Sequence, residues 1–98
     1  MGIRNFRDRA TAEVAAGLDN KRTRRRLPIE LQRSALKKMQ ILRAARTLQD
    51  VGNFPGLKLE KLKGQRRDEF SIRINEQFRI CFRWKDTDAC DVMIEDYH

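Results

Sequence analysis

The chain has 98 residues, a length typical of one small domain, and 40% of them are hydrophobic, which is enough for one core. Its 22 Lys and Arg against 14 Asp and Glu give a formal net charge of +8, so the expected partner is a polyanion, with nucleic acid favoured over an anionic surface. A multidomain enzyme is excluded, and no apolar run approaches the roughly eighteen residues of a membrane span. We expect a single domain over residues 1–98, located in the cytoplasm and not in a membrane.

The first half of the chain is predicted to be mainly helical. After a short strand at 3–6, apolar residues recur at helical spacing in 8–18 and again in 28–48, which predicts two helices. Between them, the basic stretch 21–26 is predicted to be a solvated loop that binds phosphates without sequence specificity. Its candidate RNA-contacting side chains are Arg24, Arg25 and Arg26.

A β-hairpin is the clearest pattern in the second half. Apolar and polar residues alternate on both sides of Asn75-Glu76-Gln77, so this tripeptide is the predicted loop. That register places Arg73 directly opposite Arg79. Facing like charges destabilise a sheet, so this pair indicates an anionic ligand. On the other face, the apolar pairs are Phe70 with Phe82, Ile72 with Ile80, and Ile74 with Phe78.

A second hairpin is predicted to turn at Asp86-Thr87-Asp88. It would carry Tyr97 onto the arginine face and leave Cys81 and Cys90 on opposite faces, so no disulfide between them is expected. The predicted cross-strand pairs are Trp84 with Cys90, Phe82 with Val92, Ile80 with Ile94, Arg83 with Asp91, and Arg79 with Glu95.

The arginine face is suited to a phosphodiester, because guanidinium groups hold phosphate oxygens and an aromatic ring stacks on a base. Opposite Asp91, Arg83 is interpreted first as a plain cross-strand ion pair. The terminal Asp96-Tyr97-His98 adds a carboxylate, a phenol and an imidazole, the last suited to proton transfer near neutral pH. Strict alternation puts Asp96 and His98 on the face opposite Tyr97, so a shared site requires the chain to leave strand geometry. The candidate residues of this face are Arg73, Arg79, Arg83 and Tyr97, with Lys63 and Arg66 from the preceding turn.

Three segments together resemble the HigB-type toxins of bacterial toxin-antitoxin systems, within the RelE/ParE superfamily. They are Leu57-Lys58-Leu59-Glu60-Lys61-Leu62-Lys63-Gly64, the hairpin from Ser71-Ile72-Arg73-Ile74-Asn75 to Arg79-Ile80-Cys81-Phe82-Arg83-Trp84, and the closing Asp96-Tyr97-His98. The resemblance implies a small α+β RelE-like fold, with two N-terminal helices packed on one face of a mainly antiparallel sheet and the active site on the other. It also implies an endoribonuclease that cleaves mRNA in the ribosomal A site, with the substrate 2′-hydroxyl as nucleophile and without a metal or other cofactor.

The resemblance also assigns roles to residues. Arg79, Arg73 and Lys63 would neutralise the scissile phosphate, while Arg66 and Arg83 would bind RNA. Asp96, Tyr97 and His98 would orient the base and complete the acid-base group, with the division between acid and base left open. Some relatives carry a histidine where this chain has Glu60, so Glu60 could substitute as a base, or catalysis could depend more on electrostatic stabilisation.

The partners implied by the resemblance are the small ribosomal subunit with its mRNA, and a HigA-type helix-turn-helix antitoxin. DNA would be contacted only indirectly, through an antitoxin complex that represses its own operon. Two other hypotheses remain: a non-catalytic nucleic-acid-binding module, and a gyrase inhibitor of the ParE kind. Neither is expected to need Asp96-Tyr97-His98.

Overall fold

The computed structural model describes residues 2–97 and shows an α+β fold. Four helices and a mixed five-stranded sheet are present in this range, where the sequence predicted two N-terminal helices. The helices are α1 (Arg9–Ala15), α2 (Lys21–Arg26), α3 (Ile29–Ala44) and α4 (Leu48–Asn53). The strands are β1 (Gly2–Ile3), β2 (Glu60–Lys61), β3 (Glu69–Arg73), β4 (Phe78–Lys85) and β5 (Asp88–Asp96), with a 3-10 turn at Gly64–Arg66.

The basic stretch predicted as a loop is instead helix α2. Asn20 accepts a hydrogen bond from the Thr23 backbone N–H at 2.9 Å, and the Thr23 hydroxyl accepts one from the Asn20 N–H at 3.0 Å. This reciprocal capping box satisfies two N–H groups that would otherwise lack partners. The cap therefore starts a helix here, and most of the basic side chains of the segment remain at the surface.

The predicted second helix is divided into α3 and α4. Helix α3 ends at Ala44, because Ala45 adopts extended backbone angles, and Thr47 then caps a new helix. Asp50 completes that cap by accepting hydrogen bonds from the backbone N–H groups of Arg46 and Thr47, both at 3.1 Å. Residues 51–53, predicted as loop, belong to α4 for this reason.

The sheet has the strand order β1-β5-β4-β3-β2, and only β1 runs parallel to its neighbour. The predicted register of the first hairpin is confirmed, including Arg73 opposite Arg79. Asn75 fixes the turn, since its side-chain oxygen accepts hydrogen bonds from the backbone N–H groups of Gln77 (2.9 Å) and Phe78 (2.7 Å).

The second hairpin has the predicted register only in the half that lies farther from its turn. Arg79 with Glu95 and Ile80 with Ile94 pair as expected. A bulge beyond Cys81 then shifts the pairing by one residue, so the predicted pairs of Trp84 with Cys90 and of Arg83 with Asp91 are wrong: Cys90 pairs with Arg83, and Ala89 with Trp84. The extra residue of the bulge is on β5, where Asp91 adopts a left-handed φ of 52°.

One face of the sheet and the helices share a hydrophobic core. Val14 of α1 and Met39 and Leu42 of α3 are almost fully buried against the strands. The strand side chains of the core include Ile72, Ile80, Phe82, Val92 and Ile94. Since side chains alternate along strands, the opposite face displays the intervening polar residues, and the candidate site lies there.

Candidate active site

Arg79 is the centre of the polar face and is held by two hydrogen bonds and an ion pair. Its side chain is only 5% exposed, although it carries a full charge. Its Nε donates to the Ser71 Oγ at 2.8 Å, and its Nη2 donates to the Lys58 carbonyl at 3.0 Å. The same Nη2 lies 2.9 Å from the Glu60 Oε1 in an ion pair. The structure therefore supplies Arg79 with a fixed geometry and one counter-charge.

Tyr97 covers this arginine from the C-terminal end of the chain. The Arg79 Cζ lies 5.1 Å from the centroid of the Tyr97 ring, a cation–π contact. The Tyr97 backbone N–H donates to the Gln77 carbonyl at 2.7 Å, which holds the residue beside the first hairpin turn. With 44% of its surface exposed, Tyr97 retains a ring surface that a base can stack on.

A surface pocket of about 340 Å³ adjoins this cluster. Glu60, Lys63, Arg66 and Tyr97 are among its lining residues, so four of the sequence-predicted residues come together here. The Lys63 side chain makes no ion pair with any other residue in 2–97, and it offers the pocket a free positive charge.

The other members of the predicted site are placed differently. Arg73 lies opposite Arg79, and its Nε is buried without a hydrogen-bond partner among the described residues, an arrangement that costs stability. Asp96 accepts a hydrogen bond from the Gln77 side chain at 3.0 Å and lines a second pocket, near α2. His98 lies outside the described residues.

Arg66 is bound to two carboxylates of the sheet. It donates to both Glu95 oxygens, at 2.8 and 2.6 Å, and it also lies 2.9 Å from the buried Glu69. Hydrogen bonding to Arg66 lowers the pKa of Glu95, opposing the effect of its partial burial. Glu95 lies opposite Arg79 across the strands, as predicted, but its carboxylate pairs with Arg66, and the counter-charge of Arg79 comes from Glu60.

The remaining predicted RNA-binding arginines fall into paired and unpaired groups. In α2, Arg24 pairs with Asp19 at 2.8 Å, while the Arg26 Nη1 binds Asp8 at 2.6 Å and the Ile94 carbonyl at 3.0 Å. Arg83 pairs with Asp68 at 2.7 Å and also makes the predicted ion pair with Asp91, at 3.6 Å. Arg25, by contrast, is exposed and makes no ion pair with the described residues.

Two residues that hold Arg79 were missed by sequence reasoning. They are Ser71 and Lys58. Ser71 is fully buried, and the alternation that placed Arg73 and Arg79 on this face also places Ser71 there, so the signal was present. Lys58 contributes its backbone carbonyl from a left-handed conformation, with φ at 50°, and no side-chain pattern reveals such a contact.

Residues 2–97 contain neither a cluster of metal-ligating side chains nor a helix that could span a membrane. These residues contain no group of three or more His, Cys, Asp or Glu side chains arranged to hold a metal ion. None of their helices is both long and apolar enough to cross a membrane. Cys81 and Cys90 are free thiols, and burial raises the pKa of the Cys81 thiol to about 12.

The chain matches a protein family and a related toxin. Residues 5–98 match the sequence profile of a family described as the RelE-like toxin of the type II toxin-antitoxin system HigB. The chain is also 33% identical over 79 residues to Toxin HigB-1 of Vibrio cholerae serotype O1 (strain ATCC 39315 / El Tor Inaba N16961), a span of 81% of this chain and 82% of that protein. The chain therefore belongs to the HigB-like toxin family of type II toxin-antitoxin systems.

Proposed function

We propose that this HigB-family toxin is a ribosome-dependent endoribonuclease that cleaves mRNA in the A site and so inhibits translation. The observation that carries the proposal is the buried Arg79, held by Ser71 and Glu60 and covered by Tyr97 beside an open basic pocket. A phosphodiester with an adjacent base fits this arrangement, because the guanidinium and the ring lie in contact and offer charge and stacking together.

In the proposed reaction, the 2′-oxygen of the substrate attacks the adjacent phosphorus and the bond from phosphorus to the 5′-oxygen breaks. Arg79 and Lys63 stabilise the negative charge that develops on the phosphate, and Arg73 adds to the positive field from the opposite strand position. Tyr97 stacks on the base and fixes the nucleotide. The products are a 2′,3′-cyclic phosphate and a free 5′-hydroxyl.

Proton transfer requires one group to accept the 2′-hydroxyl proton and another to donate to the leaving 5′-oxygen. We assign Glu60 as the base, because its carboxylate is 2.9 Å from Arg79 and 58% exposed at the pocket. A phosphate that binds Arg79 competes with Glu60 for the guanidinium and releases the carboxylate to accept a proton. The acid in this scheme is His98, the single histidine of the sequence, with Asp96 beside it in the chain.

Membership of a toxin-antitoxin family implies an antitoxin partner. We propose that this partner is a HigA-type helix-turn-helix protein, that the small ribosomal subunit presents the mRNA, and that the reaction takes place in the cytoplasm, where ribosomes translate. The exposed Arg25 is the α2 arginine best placed to contact RNA phosphates, since the other three, Arg22, Arg24 and Arg26, are paired with Glu13, Asp19 and Asp8.

Primer extension on an abundant mRNA tests this function in cells. Wild type, Glu60→Gln, His98→Ala and the control Arg33→Ala are induced in bacteria; Arg33 is an exposed arginine of α3 without an ion pair among the described residues. Wild type and Arg33→Ala should cut inside translated codons, and both site variants should lose the cuts. Intact mRNA with growth arrest would favour a ParE-like gyrase inhibitor, and intact mRNA with normal growth a binding module without catalysis.

A further inference from the structure

We propose that Ser71 is a positioning residue that sets the direction in which Arg79 presents its guanidinium to the scissile phosphate. This inference rests on the proposed nuclease function and adds to it a residue that does not itself contact the substrate. Ser71 has no exposed surface, and its Oγ accepts the Arg79 Nε hydrogen at 2.8 Å.

The position of Ser71 in the sheet explains how it reaches Arg79. It lies in β3, where it pairs with Glu60 of β2 on one side and with Cys81 of β4 on the other. Arg79 is two residues before Cys81 on β4, so Ser71 and Arg79 are diagonal neighbours on the same face, a separation that a long side chain spans. One strand position thereby links the proposed base with the phosphate-binding arginine.

Two anchors are enough to fix the plane of a guanidinium. Ser71 holds Nε, while Glu60 and the Lys58 carbonyl hold Nη2. Because the five N–H groups of arginine lie in one rigid fork, fixing two nitrogens also fixes the third. The third, Nη1, has no hydrogen-bond partner within residues 2–97 and is left to meet a phosphate oxygen.

The chemical type of Ser71 suits this role. A hydroxyl is neutral, so it orients the guanidinium without cancelling the charge that stabilises the transition state. The Glu60 carboxylate, by contrast, orients the guanidinium and also neutralises part of its charge. Ser71 is also the anchor that phosphate binding leaves in place, because Glu60 is exposed and is displaced in the proposed reaction. The orientation of Arg79 during catalysis therefore depends on Ser71 and on the backbone at Lys58.

Single-turnover cleavage of mRNA on purified, programmed ribosomes tests the inference with Ser71→Ala, Ser71→Thr and the control Ser34→Ala. Ser34 is the other serine of the chain, and its hydroxyl also accepts a hydrogen bond from a cation, the Lys38 ammonium at 2.9 Å. Ser71→Ala should lower the maximal rate about 10- to 100-fold with little change in the ribosome concentration at half-maximal rate, since the charge of Arg79 remains. Ser71→Thr, which keeps the hydroxyl, should restore most of the rate, and Ser34→Ala should match wild type.

The outcomes separate the two proposals. If wild type fails to cut, the nuclease function is overturned and this inference with it. If wild type cuts and Ser71→Ala cuts at the same maximal rate, or if Ser34→Ala is equally slow, the positioning role alone is overturned. Circular dichroism checks the fold of each variant, and if Ser71→Ala does not fold, Ser71→Cys replaces it with the same expected loss, because a thiol is a weak acceptor.

Discussion

Two arginine-rich regions of this toxin use the same side chain in opposite ways. On the sheet, Arg79 is 5% exposed and is bound by Ser71, Glu60 and the Lys58 carbonyl. On α2, Arg25 is exposed and has no ion-pair partner among the described residues. A buried charge costs stability unless it is well bound, and these three groups supply the partners that keep Arg79 buried in one geometry.

The two arrangements imply different contributions. A rigid, water-poor guanidinium stabilises charge that develops at one point, because no reorganisation is needed during the reaction. A solvated guanidinium at the end of a flexible side chain adds affinity for any phosphate and loses it as salt increases. Arg66 is used in a third way: its guanidinium is bound by Glu69 and Glu95, so it stabilises the structure around the site.

The largest effect expected is that of Arg79→Ala. Removing the phosphate-binding guanidinium should reduce mRNA cleavage about 100- to 1,000-fold and abolish growth arrest, because this group stabilises the transition state. Cleavage on programmed ribosomes and colony formation after induction measure the effect, with Arg33→Ala as control. Normal toxicity of a folded Arg79→Ala protein would show that the bound arginine of the sheet is not the catalytic one, and would contradict the comparison with Arg25.

Arg66→Ala should act on stability more than on chemistry. It leaves the buried Glu69 and the half-buried Glu95 without their main partner, so the free energy of unfolding should fall by about 2 kcal/mol, less than for a fully buried pair because Arg66 is partly exposed. Urea unfolding measures the change, and Arg67→Ala, at an exposed neighbour, should differ from wild type by less than about 0.5 kcal/mol.

The same pair predicts a pH dependence with a definite sign. The pKa of Glu95 is lowered in the folded state, so its stabilisation is complete above the unfolded carboxyl pKa of about 4 and is lost as the pH falls through the folded value. The stability difference between wild type and Arg66→Ala should therefore narrow below about pH 4. A difference that stayed constant down to pH 2 would show that packing, and not the ion pair, accounts for the effect.

Arg25→Ala should give the smallest effect. Loss of one exposed phosphate contact should weaken RNA or ribosome binding about threefold to tenfold and reduce the slope of log affinity against log salt by about one. Arg24→Ala should change the slope less, since Asp19 already neutralises Arg24. Equal slopes for Arg25→Ala and wild type would show that Arg25 does not contact phosphates and would limit the proposed RNA contacts to the sheet face.

The first hairpin could be predicted residue by residue, because strict alternation and a short turn at Asn75 allow one register that places the large apolar side chains of both strands on the core face. That register also placed Arg73 opposite Arg79, which was the strongest signal of the site. The second hairpin departs from its predicted register at the Asp91 bulge. One inserted residue does not alter the alternation of apolar and polar residues before it, so the alternation could not predict the bulge.

Other contacts depend on parts of the chain that are distant in sequence. The ion pair of Glu60 with Arg79 is set by the pairing of β2 with β3, across a turn whose geometry alternation does not encode. Helix α2 had a local signal in Asn20 and Thr23, but the density of positive charge favoured a loop in the sequence reading. Local patterns therefore predicted most of the strands, while pairing between distant segments set the contacts of Arg79 and the caps set the helix boundaries.

Purified ribosomes programmed with a short mRNA offer the most direct test of the central claim, that the Arg79 site cleaves RNA by 2′-hydroxyl attack. Two messages differ only by a 2′-O-methyl group at the A-site nucleotide that precedes the scissile phosphate. The account predicts that wild type cuts the unmodified message to a 2′,3′-cyclic phosphate end and leaves the methylated message intact, while Arg79→Ala cuts neither. Equal cleavage of both messages, or cleavage by Arg79→Ala at the wild-type rate, would contradict it.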